Sequence, residues 1–98
     1  MAYTRKIAVI AYDVADDRRR ERLALLLSGY GPRVQLSVFE ATLARASDED
    51  DLRKGIRDLI DPEEDQVRIY RLDVDVADQV QIIGAREVEE RRDWFVVR

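Results

Sequence analysis

The fold of this chain is decided by residues 7–20, which read IAVIAYDVADDRRR. The segment from Ile7 to Tyr12 is apolar on both faces, and this predicts a buried, central β-strand over residues 5–12. Asp13 then places a carboxylate at the carboxyl end of the strand, where the chain turns towards its next helix. A carboxylate in that position can bind a cation, and the arginines that follow can hold phosphate.

Length and composition indicate one small domain over residues 1–98. A chain of this size buries about 60–70 % of the surface that its unfolded form exposes, so it gains stability from a partner such as a second copy. The sequence is 46 % hydrophobic and 39 % charged, which is typical of a soluble globular protein. No segment is long enough to span a bilayer, and the N-terminus lacks the apolar core of a signal peptide. We therefore expect a cytoplasmic protein with no membrane partner.

The chain contains neither cysteine nor histidine. This composition excludes disulfides, thiolate or imidazole metal sites and histidine-based general base catalysis. Carboxylates, hydroxyls and arginines remain for any chemistry. A metal held by oxygen ligands alone is expected to be Mg²⁺, Mn²⁺ or Ca²⁺.

The net charge of −4 conceals an uneven distribution, because acidic residues concentrate in residues 48–51 and 61–65. Only two of the 17 basic residues are lysines. Four arginines lie close together: Arg18, Arg19, Arg20 and Arg22. An acidic total therefore does not exclude a local basic surface for nucleic acid. A GC-rich coding sequence or a thermophilic source with surface ion pairs accounts equally well for the arginine excess.

Two helices are predicted from capping and apolar spacing. The first begins after Asp16 or Asp17, since an aspartate accepts the unpaired N–H groups of a first turn, and it ends in the glycine- and proline-containing residues 29–32. Ser47 and Asp50 fit a capping box for the second. The buried stripes are Leu23, Leu26, Leu27 and Tyr30 in the first helix, and Leu52, Ile56, Leu59 and Ile60 in the second.

Residues 33–43 alternate between apolar and polar side chains and leave two topologies open. As one long strand, they give the order βαβαββ, with residues 66–72 and 79–83 as the last two strands. Bent in the middle, residues 33–38 and 39–44 form a hairpin-like pair, which restores the order βαββαβ.

The sequence ends in an apolar run, Trp94-Phe95-Val96-Val97, after a polar stretch over residues 86–93. An exposed apolar terminus is prone to aggregation. We therefore expect a further strand here, added to the sheet of a second subunit.

Three segments in this order resemble the CRISPR-associated protein 2 family: YDVADDRRR at residues 12–20, the leucine-rich helix from Leu23 to Gly31, and RVQLSVFE at residues 33–40. The likeness continues through a strand near residues 67–72 and through Ile82-Ile83-Gly84, so it spans nearly the whole chain. Members of this family are the small partners of the CRISPR spacer-acquisition integrase.

The resemblance implies an α+β, ferredoxin-like βαββαβ sandwich, and therefore a bent or broken strand over residues 33–43. It also implies a homodimer in which the C-terminal strand, matched here by Trp94–Val97 within the tail 84–98, is exchanged between the subunits. In the family, the aspartate at the end of the first strand approaches its symmetry mate, and the pair can bind one divalent metal. Asp13 is the matching residue.

Family members have been described as metal-dependent endonucleases acting on RNA or double-stranded DNA, and as a non-catalytic bridge that holds duplex DNA for the larger integrase subunit. We therefore expect a Mg²⁺- or Mn²⁺-dependent endonuclease that hydrolyses phosphodiester bonds of RNA or double-stranded DNA. The alternative is a dimeric scaffold that grips duplex DNA while the integrase does the chemistry. A toxin-type ribonuclease on the same fold, similar to virulence-associated protein D, is the third possibility.

The expected catalytic residues are Asp13, Arg19, Arg33, Ser37 and Phe39, with Asp13 also the metal ligand. The expected nucleic-acid contacts are Arg18, Arg19, Arg20 and Arg22. Arg19 or Arg20 is expected on the buried side, within reach of Asp13, whereas Arg18 and Arg22 share a more outward face.

Most of these side chains also have a purely structural interpretation. Asp13 can serve as a turn or helix-capping residue, and the arginines can pair with neighbouring acids. Phe39 can stack on a base or pack against the other subunit. Ser37 has no histidine to activate it, so it is a candidate for hydrogen bonding near the metal and not for a nucleophile. Tyr12 lies on the opposite strand face from Asp13, which favours packing.

Overall fold

A computed structural model of the chain describes residues 4–73 and 79–84. Its elements follow in the order β1 Lys6–Asp13, α1 Asp17–Ser28, β2 Arg33–Gln35, β3 Val38–Leu43, α2 Ala46–Leu59 and β4 Gln66–Asp73. This is the βαββαβ order of a ferredoxin-like α+β fold. The hairpin interpretation of residues 33–43 is confirmed, although the break falls at residues 36–37, a little earlier than predicted.

β1 is the central strand of the sheet, whose strand order is β2-β3-β1-β4. It pairs antiparallel with β3, from Lys6 opposite Leu43 to Ala11 opposite Val38. On its other edge it pairs with β4 along its whole length, so that Asp13 lies opposite Gln66. The prediction of a central first strand is therefore confirmed.

Both helices pack on one face of this sheet. The buried core consists of alternate strand residues and one stripe of each helix: Ala8, Ile10, Tyr12, Val14, Leu23, Ala24, Leu27, Phe39, Ala41, Leu43, Leu52 and Ile56. Of the predicted helix residues, Leu26, Tyr30 and Ile60 pack against this core from its margin.

The opposite face of the sheet, here called the open face, carries the other set of alternate residues. β1 contributes Ile7, Val9 and Ala11, which are half-buried, and β4 contributes Tyr70, which is 50 % exposed. Within residues 4–73 and 79–84, no helix covers this face. The described helices are also neither long nor apolar enough to cross a membrane.

Helix capping follows the prediction at α1 and departs from it at α2. The Asp16 carboxylate accepts a hydrogen bond of 2.9 Å from the backbone N–H of Arg19. The predicted capping box of Ser47 and Asp50 is wrong, because α2 begins at Ala46 and Ser47 lies inside its first turn. Asp48 takes over this role, and its carboxylate accepts hydrogen bonds of 3.0 Å from the N–H groups of both Ala44 and Arg45.

The strand predicted over residues 79–83 is also wrong, since residues 79–84 adopt no strand conformation. Ile82 and Ile83 are 86 % and 95 % exposed, so the apolar pattern of this segment has no pairing strand within the described part of the chain. The predicted terminal strand at Trp94–Val97 lies outside the described residues.

The connection from α1 to β2 runs directly against the backbone of β3. The carbonyl oxygens of Tyr30 and Pro32 accept hydrogen bonds of 2.9 and 3.0 Å from Thr42 and Glu40. Between them, a Cβ on Gly31 would overlap the carbonyl oxygen of Glu40 and lie 2.9 Å from its carbonyl carbon. Only glycine allows this approach.

Replacing Gly31 by alanine is therefore expected to lower the free energy of unfolding by roughly 1–3 kcal/mol, because β3 must move to admit the methyl group. Urea denaturation measures this change. Gly29→Ala is the matched control, since a Cβ there would come no closer than 3.4 Å to a neighbour. Equal stability of the two variants would contradict the tight packing described above.

Candidate functional site

Asp13 ends the central strand with its side chain exposed to solvent. Among the described residues its carboxylate makes no hydrogen bond or ion pair. It does not cap α1, because Asp16 has that role. The structural interpretation of Asp13 as a helix cap is therefore wrong, and its oxygens are open to an external cation or donor.

Directly behind this strand end lies a buried group of three side chains, Tyr12, Arg33 and Phe39. They are 7 %, 7 % and 2 % exposed. The guanidinium carbon of Arg33 lies 5.3 Å from the centroid of the Phe39 ring, a cation–π arrangement. Arg33 Nη2 also donates to the Tyr12 hydroxyl at 3.4 Å. The structure thus packs Arg33 and Phe39 beneath the strand end, where they support it, and their predicted part in catalysis stays a prediction.

Tyr12 fastens the β2–β3 turn to the end of β1. Its hydroxyl donates to the carbonyl oxygen of Leu36 at 3.3 Å, and its backbone N–H donates to that of Ser37 at 3.1 Å. Ser37 therefore lies opposite Tyr12, the residue that precedes Asp13. The prediction that Tyr12 is a packing residue is consistent with its burial and with its ring stacked on Phe39 at 6.3 Å.

Arg19 is committed to a different partner from the one expected. Its Nε donates to Asp65 Oδ2 at 2.8 Å, and its Nη2 donates to Glu64 Oε1 at 3.1 Å. The Asp65 side chain is fully shielded from solvent. The hydrogen bond from Arg19, followed by those from the backbone N–H groups of Asp61 and Ala15, holds the pKa of this carboxyl well below its ordinary value.

The expectation that Arg19 or Arg20 reaches Asp13 is wrong. Arg20 donates to the carbonyl oxygen of Val14 at 2.7 Å and pairs with Asp17, as the structural interpretation foresaw. Arg18 and Arg22 do share an exposed outward face, one turn apart on α1. Neither forms an ion pair within the described residues, so of the four clustered arginines these two are the most available to an external phosphate.

The pair of Asp65 and Arg19 escaped the sequence analysis because 46 residues separate its members. Asp65 belongs to an acidic cluster that reads as a solvated surface. In the sequence, Asp65 differs from the other acidic residues only by its position immediately before a predicted strand. That position predicts a contact with the end of β1 only once β1 and β4 are known to be neighbours.

No group of three acidic residues in residues 4–73 or 79–84 could hold a metal ion. Asp13 therefore offers a single carboxylate at this strand end. Mg²⁺ is commonly bound by one or two carboxylates together with water and phosphate oxygens. Asp13 fits the part of one such carboxylate.

The geometry defines a ferredoxin-like α+β protein with an exposed acidic strand end, and comparison with known proteins gives its family. The model of the CRISPR associated protein Cas2 family matches residues 6–80. The chain belongs to this family, which confirms the resemblance seen in residues 12–40.

The similar proteins cover most of the chain. A "CRISPR-associated endoribonuclease Cas2 3" of Synechocystis is 51 % identical over 76 residues, which is 78 % of this chain and 82 % of the relative. A "CRISPR-associated endonuclease Cas2 2" of Thermus thermophilus is 45 % identical over 93 residues, covering 95 % and 98 %. One chain of a solved "Partial Cas6-RT-Cas1--Cas2 complex" matches with a TM-score of 0.69 at 33 % identity, covering 86 % and 97 %.

The lowered pKa of Asp65 predicts an acid-sensitive contribution to stability. Because the folded-state pKa lies below the unfolded value of about 4, the contribution is complete above that pH and is lost as the pH falls through the folded-state pKa. The difference in unfolding free energy between wild type and Asp65→Asn should therefore shrink on acidification below about pH 4.

Urea denaturation of both proteins from about pH 7 down to about pH 2 measures this difference. Asp16 and Asp48, whose pKa values are also lowered, are present in both proteins and cancel in the comparison. A difference that stays constant or widens towards low pH would show that Asp65 does not carry the effect.

Proposed function

We propose that this protein is a CRISPR adaptation endonuclease that hydrolyses phosphodiester bonds of RNA or double-stranded DNA in a metal-dependent reaction. The observation that carries the proposal is the exposed Asp13 carboxylate, which ends the central strand without a partner among the described residues. The names of the relatives, endoribonuclease and endonuclease, support the same reaction class.

Asp13 would hold Mg²⁺ or Mn²⁺ as its carboxylate ligand. A bound divalent ion polarises a phosphodiester and lowers the pKa of coordinated water. Hydrogen bonds on both sides of β1 hold the backbone that carries Asp13. On one side Asp13 pairs with Gln66 of β4, and on the other the N–H of Tyr12 donates to the carbonyl oxygen of Ser37.

The working form is proposed to be a homodimer, in which each subunit supplies one Asp13. The open face supports this assembly, because its half-buried Ile7 and Val9 lie on the same strand as Asp13. A two-fold axis pairs the same surface of both copies. Two carboxylates near that axis repel each other, and a divalent cation relieves the repulsion. The exposed Ile82 and Ile83 fit an exchanged C-terminal segment.

Arg18 and Arg22 are proposed to contact the phosphates of the nucleic acid. They lie exposed on one face of α1, near its N-terminal end, and neither forms an ion pair with a described residue. Arg20 can add to this surface, since part of its side chain is exposed. Arg19 contributes less, because its guanidinium already binds Asp65 and Glu64.

A non-catalytic scaffold is the second candidate. The lack of histidine and the absence of a three-carboxylate cluster within residues 4–73 and 79–84 favour it. In that case the dimer holds duplex DNA and the larger CRISPR integrase subunit does the chemistry. The solved complex that names Cas1 together with Cas2 supports the integrase as a partner in either case.

Asp13→Ala is expected to reduce metal-dependent cleavage of labelled RNA or duplex DNA by more than the roughly 10–100-fold typical of losing an outer-shell partner of a metal. Its stability should stay near that of wild type, because the side chain is exposed. Asp58→Ala, which removes an exposed carboxylate of α2, is the control. Wild-type cleavage by the Asp13 variant would refute the catalytic proposal.

Mixing the two proteins tests the need for both carboxylates. Wild type is allowed to exchange subunits with Asp13→Ala protein in varying proportions at a fixed total protein concentration. Activity should then follow the square of the wild-type fraction, since only wild-type pairs carry two Asp13 groups. A linear decline would mean that each subunit works alone.

Reversing both exposed arginines, Arg18→Glu with Arg22→Glu, is expected to weaken duplex binding and to lower its salt slope by about 1 for each lost phosphate contact. Fluorescence anisotropy over a salt series measures both effects. Arg5→Glu with Arg57→Glu, a double reversal at exposed arginines outside α1, is the charge-matched control.

Spacer acquisition by the same variants separates the two candidate functions. A scaffold keeps acquisition in Asp13→Ala and loses it on reversal of the arginines. Loss of acquisition in Asp13→Ala alone would reject the purely structural role.

A further inference from the structure

We propose that Asp65 is a positioning residue for Asp13, acting together with Arg19 as a clamp on the segment that follows β1. This role rests on the proposed function, in which Asp13 is the metal ligand. It assigns to Arg19 a role through Asp65 in place of direct contact with the substrate.

The Asp65 carboxylate gathers the ends of three elements. Oδ1 accepts from the backbone N–H of Ala15 at 2.9 Å and from Arg19 Nη2 at 3.3 Å. Oδ2 accepts from the backbone N–H of Asp61 at 2.9 Å and from Arg19 Nε at 2.8 Å. Each oxygen thus receives one backbone and one guanidinium donor, which fixes the orientation of the carboxylate.

The Asp65 carboxylate binds the backbone directly after the last residue of β1 that pairs with β4. Asp13 is the last residue of β1 and lies opposite Gln66, the neighbour of Asp65. Two residues later, the N–H of Ala15 is bound by the Asp65 side chain. The strand end is therefore held by the ladder up to Asp13 and by the carboxylate directly beyond it.

The Asp13 side chain needs this support because nothing else among the described residues orients it. Its carboxylate has no hydrogen bond there, so its direction follows from its own backbone. A site that brings two such carboxylates to one cation requires each within a fraction of an ångström of its productive position. Loosening the residues after Asp13 disturbs that geometry without touching the ligand.

The burial of Asp65 explains why Arg19 belongs to the clamp. The Asp65 side chain is 0 % exposed, whereas that of Arg19 is 24 % exposed. Drawing the guanidinium away to a phosphate would leave a buried, unpaired carboxylate, which is strongly unfavourable. Arg19 is therefore expected to stay on Asp65 when nucleic acid binds.

The test compares Asp65→Asn with wild type and with Asp58→Asn, an equivalent change at an exposed carboxylate of α2. Asparagine keeps the size and one carbonyl acceptor but loses the charge that holds Arg19. Cleavage of labelled RNA or duplex DNA with Mn²⁺ is measured at a temperature at which circular dichroism shows each protein folded. We expect kcat to fall roughly 10–100-fold with KM little changed, as for other outer-shell partners of a metal.

A second readout follows the clamp without any nuclease assay. Amide hydrogen exchange should accelerate in residues 13–17 of Asp65→Asn and remain at the wild-type rate in β3. Arg19→Lys provides a milder variant if Asp65→Asn does not fold, since lysine keeps the charge but cannot bridge both carboxylate oxygens. The same pattern of exchange is expected there.

The outcomes distinguish this inference from the proposed function. Unchanged exchange in residues 13–17 overturns the clamp, whatever the activity. Faster exchange with unchanged kcat overturns the positioning role and leaves the nuclease proposal intact. A wild type that fails to cleave overturns the proposed function, and the exchange data then judge the clamp alone.

Discussion

Hydrogen bonding of β1 along both of its edges is the constraint on which the rest of the structure depends. Its ladder to β4 runs the full length of the strand and stops at Asp13 and Gln66. The alternation of the strand buries Tyr12 and exposes Asp13, and the pairing brings Asp65 beside the start of α1. The exposed Asp13 side chain and the groups that support its strand end are therefore placed by one strand.

The arginines divide into three environments, although the sequence presents them alike. Arg33 is buried over an aromatic ring, and Arg19 is tied to a shielded carboxylate. Arg18 and Arg22 face solvent. A guanidinium group can stabilise a core, brace a loop or meet a phosphate, and burial with partner geometry decides which of these it does.

Features that depend on neighbouring residues were predictable from the sequence, and features that depend on distant pairing were not. The Asp16 cap, the leucine stripe of α1 and the break in residues 33–43 follow from local patterns and the family likeness. The Ser47 cap failed because a helix start can shift by a residue or two among several acidic candidates. The contacts of Asp65 could not be predicted, because local sequence patterns do not indicate which strands become neighbours.

The candidate site was predicted in part. Asp13 is solvent-exposed at the strand end, as its position suggested. Arg33 and Phe39 were assigned to catalysis from their place in a family motif, and the structure shows them packed inside the fold. Residues of one sequence motif can therefore differ in role, because some are exposed at a site and others are buried below it.

The two edges of the sheet are unequal. β2 contributes three residues and an irregular register, whereas β4 is a regular strand of eight residues. A short, irregular edge resists further pairing, and a long, regular one invites it. Within residues 4–73 and 79–84, β4 is therefore the edge that favours pairing with a further strand, so growth of this sheet is directional.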